Sequence, residues 1–255
     1  MQSTERQQVD RVQPDVVQET EVIDPSYYQK TLDEDLDKNM FKADAYRACW
    51  FIWSFSLSAI FFLAVVAFKL EWPSQLAIAV LIGYFNTMMY HSTHEIMHGN
   101  VLKKKWMEDV IGLLGFTPLL ISPTFWRTWH NEIHHSRTNQ GRLDPESWPM
   151  LDDYKNSKIQ KILFSLTPGS GTKKSYLFFF YWASAKSLLA HWYYRFSRKD
   201  MLFVNNWRVS GELLVQMAIW YYALNLVSVD KWLWCFVIPL VVQNYLISSN
   251  EVAAH

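Results

Sequence analysis

The feature that most constrains this chain is a segment from Trp50 to Phe68, in which 19 consecutive residues carry no charge. A helix of that length extends about 28 Å at roughly 1.5 Å per residue, which is close to the hydrocarbon thickness of a bilayer. The segment begins too late in the chain and is too long for a secretory signal. The sequence therefore predicts that it crosses a membrane as a helix.

Three further apolar segments follow, and the last two are separated only by Asp230-Lys231. Such a short gap predicts a helical hairpin, and Pro73 is a natural entry point for the second helix. The sequence therefore predicts an all-α, polytopic membrane protein with four transmembrane helices in two hairpins. The predicted spans cover residues 50–68, 76–91, 212–229 and 232–249.

The basic residues are distributed unevenly around these spans. Sixteen of the Lys and Arg residues lie between residues 99 and 208, while only Lys69 and Lys231 lie elsewhere after residue 47. The positive-inside rule then places region 99–208 and both termini on the cytoplasmic side of a multi-pass membrane protein. A net charge of zero gives no support for a nucleic-acid-binding protein.

The N-terminal part of the chain differs in composition from the rest. Residues 1–47 contain eleven acidic and six basic residues, and their first half shows no apolar period. We therefore expect a polar, acidic and partly disordered tail over 1–47, followed by one membrane domain over 48–255. The two cysteines, Cys49 and Cys235, lie at or inside apolar segments and indicate no disulfide framework.

Six of the eight histidines form two clusters, which suggests a metal site. The first cluster is His91, His94 and His98, and the second is His130, His134 and His135. On a helix the three members of the first cluster share one face, and His130 and His134 are one turn apart. Imidazole is the commonest metal-binding side chain. Six histidines are more than the three or four protein ligands that one zinc ion takes. A nitrogen-rich set suits iron that must bind oxygen, and a place at the membrane edge indicates a lipid chain as substrate.

The first cluster leaves a second interpretation open. Residues 94–98, HEIMH, match the pattern H-E-x-x-H, in which two histidines bind zinc and Glu95 acts as a general base. An intramembrane zinc metalloprotease is therefore an alternative. The second cluster argues against it, because such a protease needs only one further ligand.

Together, the two clusters resemble the histidine boxes of a known family. HEIMH at 94–98, WHNEIHH at 129–135 and SRTNQGRLDPESWP at 136–149 are similar to the first two boxes of membrane fatty acid desaturases and related hydroxylases. The resemblance covers roughly residues 45–255. It implies a di-iron centre that uses O₂ and two electrons to introduce a double bond into a fatty acyl chain of an acyl-lipid or acyl-CoA. It also implies a separate electron donor, cytochrome b5 or ferredoxin, because the N-terminal tail is too short for a fused cytochrome domain.

Residue by residue, the resemblance implies iron ligation by the five histidines that match the two boxes: His94, His98, His130, His134 and His135. His91 lies outside the usual box and is a further candidate ligand or supporting group. Asn250 and His255 loosely match an Asn and a His that some family members carry after the last span. A carotenoid ketolase or hydroxylase of the same superfamily is an alternative, because THEIMHG at 93–99 would also serve there.

The family's third box, another His-x-x-His-His, is absent before the chain ends at His255. We therefore expect either a truncated sequence or metal ligands that come from elsewhere. A truncated chain is expected to be inactive on its own.

Several side chains beside the boxes are candidates for supporting roles. Glu95 and Glu132 either orient the imidazoles or are solvated helix charges. Arg127 either holds a substrate headgroup or contacts lipid phosphate. Trp126 and Trp129 either line an acyl tunnel or anchor the protein at the membrane interface.

Overall fold

The computed structural model describes residues 46–138, 158–165, 171–197 and 206–254. In chain order the helices are α1 (Arg47–Ala67), α2 (Trp72–Met97), α3 (Lys105–Gly115), α4 (Pro123–Trp126), α5 (His135–Arg137), α6 (Lys158–Ser165), α7 (Phe178–Ser197), α8 (Asn206–Leu226) and α9 (Ile238–Ala254). Two π-helical segments, Arg127–His134 and Leu233–Val237, precede α5 and α9, and short 3₁₀ turns occur at Thr117–Leu119, Ser175–Leu177 and Val229–Lys231. The described residues contain no strand, which confirms the all-α expectation.

Two of the described helical stretches are long and apolar enough to cross a bilayer by length and composition. They are Arg47–Ala67 and Val229–Asn250, which coincide with the first and fourth predicted spans. The second predicted span falls within α2 and most of the third lies in α8, which ends at Leu226; these helices have 26 and 21 residues but are less apolar. Membrane association is therefore supported, and the four-span arrangement remains a prediction. Residues 1–45 of the predicted tail lie outside the described part of the chain.

Helix α2 lies against both α1 and α9. The hydroxyl of Ser58 in α1 donates to Oδ1 of Asn86 in α2 at 2.6 Å. On the α9 side, a Cβ atom at Gly83 would lie 2.7 Å from the carbonyl oxygen of Pro239. Glycine at this position therefore allows the α2 and α9 backbones to approach closely.

The turn before α9 caps the end of α1. The Lys231 ammonium donates to the carbonyl oxygens of Val65 and Val66, each at 2.8 Å. The last carbonyls of a helix lack partners within the helix, and the negative end of the helix dipole attracts a cation. Lys231 therefore fastens the end of α1 to the turn between α8 and α9.

We expect Lys231→Met to lower the free energy of unfolding by about 1–2 kcal/mol, because methionine keeps an apolar stem but cannot donate to these carbonyls. Unfolding by SDS in mixed micelles measures the change. Lys69→Met, at an exposed lysine just after α1, is the control and should change stability by less than about 0.5 kcal/mol. Equal losses in the two variants would argue against the cap.

Candidate metal centre

The first histidine cluster lies at the C-terminal end of α2. This helix runs without a break to Met97, and His98 is its C-cap residue. The helix of the second predicted span, residues 76–91, therefore continues past His91 and His94 to the C-cap residue His98. The imidazole rings of His94 and His98 lie 4.8 Å apart, because residues four apart on a helix share one face.

A glycine in α3 allows this helix to pack beside the histidines. A Cβ atom at Gly115 would overlap the side chain of Thr93, which is fully buried next to His94 in α2. Only glycine lets the two helices meet at this distance. The close contact fixes the histidine-bearing end of α2 against α3.

The second cluster follows a helix with a well-defined start. Ser122 is the N-cap of α4 and its hydroxyl accepts a hydrogen bond from the Phe125 N–H at 3.1 Å. Pro123 occupies the first turn, where its missing N–H has no cost. The local sequence Ser-Pro thus sets where the second histidine helix begins.

The helix then widens where it carries the histidines. Residues Arg127–His134 are π-helical, and the His135 N–H donates to the carbonyl of His130, five residues earlier. The sequence predicted an α-helical i, i+4 relation for His130 and His134. The wider turn instead places both following histidines one turn from His130, with ring centroids 5.1 Å away for His134 and 4.8 Å for His135.

The two helices bring the five box histidines into one cluster. Ring centroids lie 4.5 Å apart for His94 and His130, 5.3 Å for His98 and His130, and 5.0 Å for His98 and His135. The possible ligand nitrogens of His94, His98 and His130 all lie within 4.8 Å of one another. Two nitrogens on one ion lie at most about 4.2 Å apart for bonds of about 2.1 Å, so small side-chain rotations fit these three to a metal ion. The rings of His134 and His135 lie 5.4 Å apart beside this group.

Trp126 covers one side of this cluster. Its ring stacks on that of His130 at 4.5 Å and lies 5.1 Å from His94 and 5.6 Å from His98. Trp126 is 1% exposed and Trp129 is 5% exposed, and His130 is buried as well. The indole therefore excludes water from one side of the imidazoles and limits their rotation.

His91 is held by a different partner. Nε2 of His91 and Nδ2 of Asn250 in α9 lie 2.9 Å apart, which joins the histidine-bearing end of α2 to α9. His91 is not among the three histidines whose ligand atoms converge. His255, the other additional candidate, lies outside the described residues.

The acidic residues within the two boxes lie at the surface. The carboxylate of Glu95 is 3.6 Å from the Arg47 guanidinium, and both side chains are more than half exposed. Glu132 is exposed as well. This orientation of Glu95 disfavours the zinc-protease interpretation, because the general base of an H-E-x-x-H site has to face the metal.

A network of ion pairs anchors the second histidine helix. Asp109 of α3 accepts a hydrogen bond from Arg127 at 3.0 Å on one carboxylate oxygen and from Arg208 of α8 at 2.7 Å on the other. Arg127 also lies 3.8 Å from Glu108, and its side chain is only 18% exposed. The structure thus places Arg127 in internal ion pairs, which corrects its interpretation as a contact for a lipid headgroup or phosphate.

Glu212 of α8 completes this anchor network of Asp109, Arg127, Arg208 and Glu212. Its carboxylate accepts hydrogen bonds from the Ser122 hydroxyl at 2.5 Å, the Thr124 hydroxyl at 2.6 Å and the Thr124 N–H at 3.0 Å. Arg208 donates to it at 3.0 Å. A carboxylate is favoured at this place because the first N–H groups of a helix point towards it.

Sequence reasoning missed Glu212, although one signal was available. Glu212 is the only acidic residue in α8 and lies at the start of the third predicted span. An ionisable residue at the edge of a transmembrane segment is a functional candidate by default. Its partners Ser122 and Thr124 lie far away along the chain, so no local motif marks it.

The anchor network predicts a pH-dependent stability. Burial acts to raise the pKa of the Asp109 carboxyl, but hydrogen bonds from Arg208 and Arg127 outweigh it and hold this pKa below its ordinary value. A carboxyl with a lowered folded-state pKa stabilises the fold above its unfolded-state pKa of about 3.9, and this contribution is lost as the pH falls through the folded-state pKa.

We therefore expect Asp109→Asn to lower the free energy of unfolding by about 1–2 kcal/mol near pH 7. The difference from the parent protein should shrink as the pH falls below about 4. SDS unfolding across a pH series measures this, with Glu132→Gln as an exposed control. A stability difference for Asp109→Asn that does not change with pH would contradict the expectation.

Comparisons with known proteins point to the family that the two boxes resemble. The family model described as fatty acid desaturase matches residues 70–255. An omega-6 fatty acid desaturase, chloroplastic, of Spinacia oleracea is 22% identical over 167 residues, or 64% of this chain and 35% of that protein. An sn-1 acyl-lipid omega-3 desaturase (ferredoxin) of Nostoc sp. (strain 36) is 40% identical over 73 residues, or 27% and 20%.

A third relative has the same type of name. The omega-3 fatty acid desaturase fat-1 of Caenorhabditis elegans is 27% identical over 195 residues, which cover 68% of this chain and 44% of that protein. The alignments span less than half the length of each of these relatives.

Proposed function

Because the chain belongs to the fatty acid desaturase family, whose model matches residues 70–255, we propose that it is an O₂-dependent oxidoreductase that introduces a double bond into a fatty acyl chain. The observation that best supports this proposal is the convergence of five histidines from two separate boxes. The relatives named as omega-3 and omega-6 desaturases support the same class of reaction.

Two iron ions are the proposed cofactor, with His94, His98, His130, His134 and His135 as ligands. All five donors are imidazole nitrogens, which suit iron with open coordination positions. When bound, the iron pair supplies the oxidation of an unactivated carbon pair with O₂ and two electrons.

The remaining residues position and shield this site. Trp126 keeps water from one side of the imidazoles, and the anchor network fixes the direction of the helix that carries His130. We propose His91 as a further ligand or a positioning group, with its ring held by Asn250. His255 remains a proposed ligand on the grounds of the resemblance alone.

The substrate reaches the site from a membrane in this proposal. Large apolar side chains of α1 are exposed, among them Trp53 at 60% and Leu63 at 59%, and a large exposed apolar surface marks contact with a membrane or a partner. We propose four spans in two hairpins, with the boxes and both termini on the cytoplasmic side. The ring contact between Trp220 of α8 and Phe236, at 5.5 Å, supports the second hairpin.

The proposed domain organisation is an acidic tail over residues 1–47 and one membrane domain over 48–255. The proposed partners are an acyl lipid and a separate electron donor. The printed name of the Nostoc relative includes ferredoxin, which supports a ferredoxin as donor, and cytochrome b5 is the other candidate.

Lipid analysis in a host that makes both acyl lipids and carotenoids tests the function. Expression of the chain, or of a form extended by a third His-x-x-His-His box if the chain alone is inactive, should produce new double bonds in the fatty acids, detected by gas chromatography with mass spectrometry. A His134→Ala variant expressed at the same level should not produce them. Oxidised carotenoids without new double bonds would contradict the proposal and favour the carotenoid ketolase or hydroxylase alternative.

A further inference from the structure

An exposed basic surface directly follows the first histidine box in the chain. Lys103, Lys104, Lys105 and Trp106 are exposed to solvent, and Trp106 is 62% exposed. Within the described part of the chain, the ion pairs of the neighbouring charged residues join other groups and leave these three ammonium groups unpaired. We call these four residues the basic patch.

The chain is anchored on both sides of the basic patch. Before it, Val101 is 3% exposed and belongs to the same buried apolar cluster as Ala48 of α1 and Ile96 of α2. After it, α3 packs so closely on α2 that a Cβ atom at Gly112 would lie 2.7 Å from Sδ of Met97. The basic patch is therefore a fixed part of the surface, with its charges held at a defined place.

The basic patch lies beyond the histidine-bearing end of α2. The two helices run antiparallel, because Gly112 of α3 lies beside Met97 of α2 and Gly115 lies beside Thr93. Lys105 precedes Gly112 by seven residues, or about 10 Å at roughly 1.5 Å per residue. The patch thus lies about 10 Å farther from the second predicted span than Met97 does.

The local fold does not account for these charges. Lys104 is the N-cap residue of α3, Lys105 is its first residue, and no side chain caps this end of the helix. Small polar residues are preferred as N-caps, and the positive end of a helix dipole disfavours cations. Glu108 in the first turn attracts Lys105, but its carboxylate already lies 3.8 Å from Arg127. A partner with negative charge would compensate for three adjacent cations at this end of α3.

A membrane surface matches the basic patch less well than a soluble protein does. In the proposed topology the second span ends at His91, and Met97 lies about 9 Å farther along α2. The patch is then about 19 Å from the hydrocarbon core, and lipid headgroups fill only about 6 Å of that distance. The potential of anionic lipids falls off within a Debye length of about 8 Å. The position therefore favours a partner in solution.

We propose that the basic patch is the docking surface for an acidic electron-carrier protein. This inference rests on the proposed function, because that reaction takes two electrons from a separate donor. The lysines pair with carboxylates of the carrier, and Trp106 packs against an apolar part of its surface. A carrier docked there lies next to the end of α2 that bears His98. Each one-electron carrier leaves oxidised, so two successive dockings supply the two electrons.

Equilibrium binding of two acidic carriers to the purified full chain tests this inference. The probes are a soluble [2Fe–2S] ferredoxin and the soluble domain of cytochrome b5, each measured by calorimetry at 50 and 500 mM NaCl. We expect at least one of them to bind, and to bind more weakly at high salt. The triple variant Lys103→Gln, Lys104→Gln, Lys105→Gln should raise the Kd about 5- to 20-fold at 50 mM and less than about 2-fold at 500 mM.

A second triple variant, Lys158→Gln, Lys173→Gln, Lys174→Gln, is the matched control. It removes three exposed lysines from other parts of the chain and changes the net charge by the same amount. This variant should change the Kd by less than about 2-fold. Trp106→Ala should weaken binding about 5-fold or more at both salt concentrations, because salt does not screen an apolar contact.

Equal weakening by the two triple variants would overturn the proposal, since the carrier would then respond only to net charge. Failure of both carriers to bind, or binding that the Lys103–Lys105 variant leaves unchanged, would overturn it as well. In the last case, a loss of co-purifying anionic phospholipid in this variant would assign the patch to lipid headgroups. The assay measures binding in protein with and without iron, so its failure leaves the proposed desaturase function intact, and a failure to form double bonds leaves the docking result intact.

Discussion

His130→Ala is expected to abolish fatty acid desaturation and to release iron from the protein. The His130 imidazole lies within 5.3 Å, centroid to centroid, of all four other box histidines, which makes it central to the cluster. Mutation of a residue that only supports a metal ligand typically lowers metal affinity or activity by about 10- to 100-fold. We expect removal of a ligand itself to lower the activity by more than about 100-fold.

The control for this variant is Glu132→Ala. Glu132 lies in the same π-helical segment as His130, but its side chain is exposed to solvent. This variant should keep the iron content of the parent protein. Iron analysis and oxygen-dependent double-bond formation measure the pair, and an iron content unchanged in His130→Ala would contradict the proposed ligand set.

Glu212→Ala is expected to have the second largest effect on iron binding, although the hydrogen bonds described above join Glu212 to no histidine. Its carboxylate accepts three hydrogen bonds from Ser122 and Thr124 at the start of the helix that leads to His130, and a fourth from Arg208 of α8. Removing it leaves donors on the buried Ser122 and the partly buried Thr124 without this partner, which should lower the free energy of unfolding by about 2–3 kcal/mol.

The same change should weaken iron binding by about 10- to 100-fold, because the histidine helix loses its attachment to α8. Glu212→Gln keeps an acceptor oxygen and should recover much of the iron content, which distinguishes a positioning role from a general loss of fold. Glu95→Gln, at an exposed acidic residue beside His94, is the control and should leave iron binding unchanged. If Glu95→Gln and Glu212→Ala released iron to the same extent, the positioning role would be excluded.

The features that were predictable from the sequence depend on local patterns. A long uncharged apolar segment such as α1 forms a helix in a membrane without help from other segments, because a helix hydrogen-bonds its backbone N–H and C=O groups within itself. The i, i+4 spacing of His94 and His98 fixes a shared helix face in the same local way. The two boxes were also sufficient to indicate the family.

The features that were not predictable depend on contacts between distant segments. The π-helical turn at Arg127–His134 differs from an α-helix only in which carbonyl accepts from each N–H, and no sequence pattern marks this difference. Its side-chain contacts reach α2 through His94 and α3 through Asp109, both distant in the chain. The ion pair of Arg127 with Asp109, and the approach of Thr93 to Gly115, likewise join segments that no sequence motif connects. The sequence interpretation of Arg127 was wrong for this reason, because the residues next to it in the chain do not show that it pairs with Asp109 inside the protein.

The most direct test of this account is to measure the metal content and Mössbauer spectrum of the purified, folded protein. Because the five box histidines form one cluster, the account predicts about two iron ions per chain with the spectrum of a magnetically coupled pair. One zinc ion with little iron, or folded protein loaded with iron that shows no coupled pair, would contradict it.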